Sequence, residues 1–170
     1  LSLKVAVCHV NHHLRGEESN RDQRFVEEIC RAWNIPCEVF HVNVADEAKK
    51  SGQGIEECAR TLRYEVFQQV AEKRHAKVAT AHTLSDSLET VVFHLARGTS
   101  LKGLCGIPPF REWVIRPLIY CSRKEVERYC MENGLSFVTD STNLSNDYTR
   151  NRIRHEVIPV LCEINPSLFT

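Results

Sequence analysis

Apolar and polar positions along the first hundred residues switch repeatedly between two periods. Residues 3–10 (LKVAVCHV) form a near-continuous apolar run, the pattern of a strand buried on both faces. After the polar stretch NHHLRGEESN, the residues Phe25, Val26, Ile29, Cys30 and Trp33 share one stripe. They predict a helix from about Asn20 to Trp33, stopped by Asn34-Ile35-Pro36. Cys37–Val44 reads as a second strand, followed by a polar stretch. Ile55, Cys58, Ala59, Leu62, Val66, Phe67 and Val70 then mark one face of a long helix ending near Arg74. A third strand, Lys77–His82, leads to a helix from about Ser85 to Arg97, with Gly98 just past its end. Three strand–helix pairs in succession predict an α/β protein with right-handed crossovers and a doubly wound parallel sheet.

From about residue 99 the pattern changes. GTSLKGLCGIPPF is a Gly/Pro-rich connection, and Trp113–Leu118 reads as a short strand. Ser122-Arg-Lys-Glu125 is a capping box that opens a helix closing at Asn133-Gly134. Leu135–Thr139 reads as another short strand, Asp140–Tyr148 as turn-rich chain. A last helix begins near Thr149 with the apolar stripe Ile153, Val157, Val160, Leu161 and Ile164, and Pro159 is expected to kink it. The organisation expected is a nucleotide-binding part over residues 1–118 and a C-terminal part over 119–170.

Composition narrows the class without naming a partner. Hydrophobic residues make up 42% and charged residues 26% of the 170, which excludes dominant disorder. No apolar run approaches the roughly 20 residues of a membrane span, and LSLKVAVCHV lacks the basic start of a signal peptide. Basic and acidic residues both number 22, so any RNA-binding claim must rest on local clusters. Eight cysteines without a CxxC pair read as reduced thiols, several on apolar helix faces, in a cytoplasmic protein. That spacing offers no metal half-site.

In an open parallel sheet, ligands collect at the carboxyl ends of strands. Two strand exits are unusually polar: residues 9–15 (HVNHHLR) and residues 82–90 (HTLSDSLET). Asp86 and Glu89 are three apart, so they share a helix face just beyond His82. Such a group could orient an ammonium, bind magnesium with phosphates, or take a proton from an amine; it could also simply complement a helix dipole. Arg60 and Arg63 stand one turn apart on the long helix. Arg150, Arg152 and Arg154, with Asn151 and His155 between and beside them, concentrate positive charge suited to polynucleotide phosphates. Ser51-Gly52-Gln53-Gly54 looks like a phosphate loop but follows no strand that could aim it.

The ordered blocks HVNHHLRGEES, EECARTLRYEVF, TAHTLSDSLETVVFHLARGTSLKGLCGIPP, IRPL, DSTN and YTRNRIRHEVIP resemble the tRNA(Ile)-lysidine synthetases, a branch of the PP-loop ATP pyrophosphatase family. The resemblance implies an adenine nucleotide alpha hydrolase-like, PP-loop ATPase fold. It also implies a reaction in which ATP adenylates the C2 oxygen of the wobble cytidine in a tRNA(Ile) with a CAU anticodon. Free L-lysine then displaces AMP to give lysidine. By the same resemblance Asp86, Glu89 and His82 are catalytic, and Asp86, Glu89 and Arg60 receive lysine. Val10, Asn11, His12 and His82 border ATP. Arg63, Arg150, Asn151, Arg152, Arg154 and His155 contact tRNA. ATP and Mg2+ would serve the complete enzyme, with no metal held by the protein residues themselves and a homodimer left open.

Two departures qualify this reading. Serine occupies the first acidic place of the usual HxxDD pattern, as His82-Thr-Leu-Ser85-Asp86, which throws more weight on Asp86. The Ser-Gly-Gly-x-Asp-Ser phosphate loop, with its strand and first helix, does not occur ahead of HVNHHLR. The expectation is a fragment with a sheet gap between Val5–Val10 and Val78–His82 and little ATP-dependent activity of its own. The alternatives are another PP-loop tRNA modifier, such as a cytidine thiolase, or a non-catalytic tRNA-binding module.

Overall fold

A computed structural model describes residues 3–138 and 149–169. The chain divides into two compact units, Leu1–Ala76 and Lys77–Thr170.

In the first unit, strand β1 (Val7–Asn11) pairs in parallel with β2 (Cys37–His41), with Asn11 opposite His41. Helix α1 (Glu17–Ala32) joins them, starting three residues earlier than the apolar stripe implies; Glu17 and Glu18 complement its N-terminal dipole. The second strand stops at His41 rather than Val44, because Asn43 caps a helix that the periodicity missed. Its side-chain oxygen accepts the Asp46 N–H at 3.2 Å and opens α2 (Val44–Ser51). Only three of its eight positions are apolar, and two of them, Val44 and Ala48, bury against Cys58 and Ala59 of α3 (Ile55–Arg74). Val42 and Leu62 complete that core. The Ser-Gly-Gln-Gly stretch is the turn between α2 and α3, with Gly52 in the left-handed conformation at φ 70°.

In the second unit, β3 (Val78–Ala79) pairs in parallel with β5 (Val114–Ile115), and β5 pairs antiparallel with β4 (Phe110–Arg111). The ladder is thus shorter than the expected strands Lys77–His82 and Trp113–Leu118. Pro117, which has no N–H to donate, follows β5 closely. The Gly/Pro-rich connection contains structure of its own, the short helix α5 (Leu101–Leu104) and strand β4. The strands form two separate ladders, one in each unit, where the expected sheet carried a gap between Val5–Val10 and Val78–His82.

Helix α4 (Leu84–Arg97) follows β3, and α6 (Arg123–Glu132) opens on the capping box read from the sequence. There, Ser122 accepts the Glu125 N–H and Glu125 accepts the Ser122 N–H. Residues 135–138 form no strand; Thr139 and the turn-rich Asp140–Tyr148 lie outside the described residues.

The last helix departs from its expected stripe for a physical reason. It runs as α7 (Thr149–Arg152), a π-helical turn Ile153–Val157, and α8 (Ile158–Ile164). Pro159 cannot donate to the carbonyl four residues back, and its ring would crowd it. The wider turn ahead of it inserts one residue into the repeat. The buried positions therefore become Ile153 and Ile158, five apart, while Val157, Val160 and Ile164 are exposed.

Candidate functional site

The first strand exit is organised by one buried amide. Asn11 ends β1 at 2% exposure. Its Nδ2 donates to Gln23 Oε1 at 2.9 Å, which ties the strand tip to α1. Its Oδ1 accepts the His13 backbone N–H at 2.9 Å, closing a turn that puts His13 at φ 53°. A left-handed non-glycine residue is unfavourable on its own, so the amide holds this turn in place. Asn11 thus shapes the exit from beneath, and does not present its own side chain to a ligand.

Three imidazoles surround that turn. His13 Nε2 lies 2.9 Å from His41 Nδ1, with the rings stacked at 5.0 Å between centroids. His12 Nε2 is 3.1 Å from the Ala59 carbonyl oxygen. A carbonyl only accepts, so His12 carries its proton on Nε2 and leaves Nδ1 as an acceptor. Burial, reinforced by the nearby Arg63 guanidinium, pushes the His12 pKa down to about 4. His12 is therefore neutral at pH 7. These residues, with Leu14, Val42, Asn43 and Ala45, line an open pocket of about 340 Å³ at the carboxyl end of the β1–β2 ladder. Val10 lies half-buried within β1 itself.

Arg60 and Arg63 stand on the same stretch of α3 as Ala59. Arg60 is exposed and lies over the Tyr64 ring, 4.8 Å from its centroid. Arg63 is half-buried; burial and the Arg60 charge lower its pKa from the usual arginine value. No carboxylate pairs with either among the described residues.

The second strand exit is organised by carboxylates, and most of their oxygens are engaged. Thr83 and Asp86 form a reciprocal capping box: Asp86 Oδ2 accepts from the Thr83 N–H at 2.7 Å and from its hydroxyl at 2.6 Å. His82 sits just before the cap, with Nδ1 2.9 Å from Thr80 Oγ1. The Thr80 N–H is in turn bonded to the Ile115 carbonyl at 3.0 Å. Ser85, the departure from the acidic pattern, accepts the Arg123 N–H at 3.2 Å and so links α4 to the first turn of α6. Ser87 accepts the Ile107 N–H at 3.0 Å; a Cβ at Gly106 would meet its hydroxyl at 2.4 Å, which explains glycine there.

Glu89 and Arg154, 65 residues apart, are each other's partners. Arg154 Nε donates to Glu89 Oε1 at 2.6 Å and Nη2 to Oε2 at 3.0 Å, a bidentate fork. The Glu89 side chain is 5% exposed and that of Arg154 24%. Accepting from Arg154 uses both Glu89 oxygens, and the Glu89 hydrogen bonds raise the Arg154 pKa. The sequence placed these two residues in different tasks, lysine binding and tRNA binding; the structure joins them. Asn151 is buried beside Ile153, and Arg152 is exposed and pairs with Glu156 at 3.4 Å. His155 is exposed, and Arg150 lies over the Phe93 ring at 5.9 Å.

Asn11, His12 and His13 were legible as a strand exit, whereas Thr80, Gln23 and His41 were not, since only their through-space contacts mark them. No group of three metal-ligating side chains converges among the described residues. No helix among them is long and apolar enough to cross a membrane.

The model of the PP-loop domain matches residues 1–161. The chain belongs to the PP-loop family. This PP-loop chain is 46% identical over 169 residues to the tRNA(Ile)-lysidine synthase of Thermotoga maritima, covering 99% of the chain and 41% of that relative. It is 47% identical over 162 residues to the Bacteroides thetaiotaomicron tRNA(Ile)-lysidine synthase, covering 95% and 38%. The Bacillus subtilis enzyme of the same name is 40% identical over 172 residues, covering 98% and 36%. The chain thus spans about two fifths of the length of these curated relatives. Among solved structures, the U34-tRNA thiolase NcsA of Methanococcus maripaludis, described with its [4Fe-4S] cluster, superposes with a TM-score of 0.72. It is 18% identical and covers 95% of this chain and 57% of its own, a likeness of fold.

Proposed function

We propose that this PP-loop chain carries the lysine- and tRNA-handling part of a lysidine-forming ligase. In that reaction the C2 oxygen of the cytidine attacks the α-phosphorus of ATP and pyrophosphate leaves. The amine of lysine then attacks C2, loses a proton, and expels AMP. The identity of 40–47% to tRNA(Ile)-lysidine synthases across nearly the whole chain carries this reading.

The geometry supports particular roles. Asp86 is held at the strand exit by its own capping box, which occupies Oδ2. Its Oδ1 has no partner among the described residues and suits a lysine ammonium. Glu89 acts through Arg154, fixing the last helix against α4 in a neutral buried pair. His82, oriented by Thr80, is the candidate to move a proton. On α3, Arg60 and Arg63 are cations with no acid partner among the described residues, suited to a carboxylate or a phosphate. The neutral His12 offers Nδ1 to a hydroxyl or amino group, which fits the ribose or base of ATP better than its phosphates. ATP supplies the adenylate leaving group. With no converging metal ligands among the described residues, no step is assigned to Mg2+.

The test is a chimera in which these 170 residues replace the matched segment of the Thermotoga maritima relative. With tRNA(Ile), ATP and lysine, it is expected to yield lysidine in nucleoside digests. A folded, tRNA-binding chimera that yields none, or yields a thiolated cytidine given a sulfur donor, contradicts the proposal.

A further inference from the structure

Two arginines from different elements meet on one aromatic ring in the second unit. Arg97, in the last turn of α4, holds its guanidinium carbon 5.1 Å from the centroid of the Phe93 ring. Arg150, in α7, reaches the same ring at 5.9 Å. Both arginines are exposed, and neither has a carboxylate partner among the described residues. Their neighbours are different: Arg152 pairs with Glu156 and Arg154 with Glu89. One cation over a phenyl ring is a favourable contact, but a second cation at the same ring repels the first. The two charges are held together by the packing of α4 against α7, with no acid among the described residues to offset them.

We propose that Arg97 and Arg150, seated on Phe93, form a phosphate-gripping pair for RNA; this rests on the proposed tRNA substrate. Each planar guanidinium can present a two-pronged donor face to a phosphate, and the half-buried ring restricts the arginines before the ligand arrives. A polyanion supplies the missing counter-charge. The pairing also redistributes the roles suggested by the block Arg150–His155. Arg154 is a structural partner and Arg152 is half-neutralised, whereas Arg97, fifty-three residues upstream of Arg150, joins the RNA face.

The test is binding of tRNA by the 170-residue chain across a salt series. Arg97→Ala and Arg150→Ala are each expected to reduce the slope of log affinity against log salt by about 1, and the double variant by about 2. Arg97→Lys keeps the slope while weakening binding. Phe93→Leu keeps the slope too, since it removes the platform and not a charge. Slopes unchanged in both single variants and in the double variant, with native circular dichroism, overturn the proposal, as does failure of the unmutated chain to bind tRNA. Unchanged slopes beside a lysidine-forming chimera would discard this surface and leave the reaction standing. Reduced slopes beside an inactive chimera would do the reverse.

Discussion

The two strand exits use similar residues to opposite ends. After β1, imidazoles line an open pocket over a single buried amide, and Arg60 and Arg63 of α3 have no carboxylate partner among the described residues, unlike Arg15, which pairs with Asp22. After β3, the polar groups are carboxylates and hydroxyls, and nearly all of them bind the protein itself. Residue type alone therefore does not identify a ligand site. What distinguishes the exits is how much hydrogen-bonding capacity remains after folding: cations at the first, and at the second one oxygen of Asp86.

The largest expected effect separates structural from ligand-facing groups at the second exit. Arg154→Ala leaves the buried Glu89 carboxylate without the guanidinium it accepts from and should lower unfolding free energy by about 3 kcal/mol or more, with a smaller loss for Glu89→Ala because Arg154 is part-exposed. The double change Glu89→Leu with Arg154→Leu should recover much of that loss. Denaturant unfolding checks both, and independent, additive losses would break the pairing.

A smaller effect marks the first exit. Because His12 has a pKa of about 4 when folded and near 6.5 when unfolded, the unfolded chain binds the extra proton first as pH falls. Stability from this residue is complete above about pH 6.5, declines toward pH 4, and changes no further below it. The full shift corresponds to about 3 kcal/mol, and solvent screening of this half-buried ring brings the loss at pH 4 to about 2 kcal/mol. His12→Gln should flatten that limb of the stability–pH curve, and an unaltered curve would show that His12 is not held neutral. The smallest effect is Thr83→Ala, which removes one half of a capping box and should cost about 1 kcal/mol, read as a modest drop in the melting temperature.

The same distinction explains what could be read from the residues alone. Helices α3, α4 and α6 follow from apolar periodicity, and a capping box or terminal glycine marks the bounds of the last two; both strand exits follow from their polarity. Helix α2 escaped because eight residues with three apolar positions, two of them alanine, carry too little periodicity. The buried face of the last helix escaped because one extra residue in the turn before Pro159 moves it from Val157 to Ile158. The fork from Arg154 to Glu89 escaped because nothing local links positions 65 apart. Helix periodicity and capping are local and visible in a sequence, whereas the assignment of a partner is a property of packing.

The most direct measurement is the lysine dependence of the chimera with and without Asp86→Asn. The amide can still accept the Thr83 N–H, so the cap survives while the charge is lost. A charge-assisted hydrogen bond contributes about 1.5–3 kcal/mol, so the KM for lysine should rise roughly tenfold or more while the KM for ATP stays unchanged. Identical lysine KM values in the two proteins would contradict Asp86 as the group that receives the ammonium.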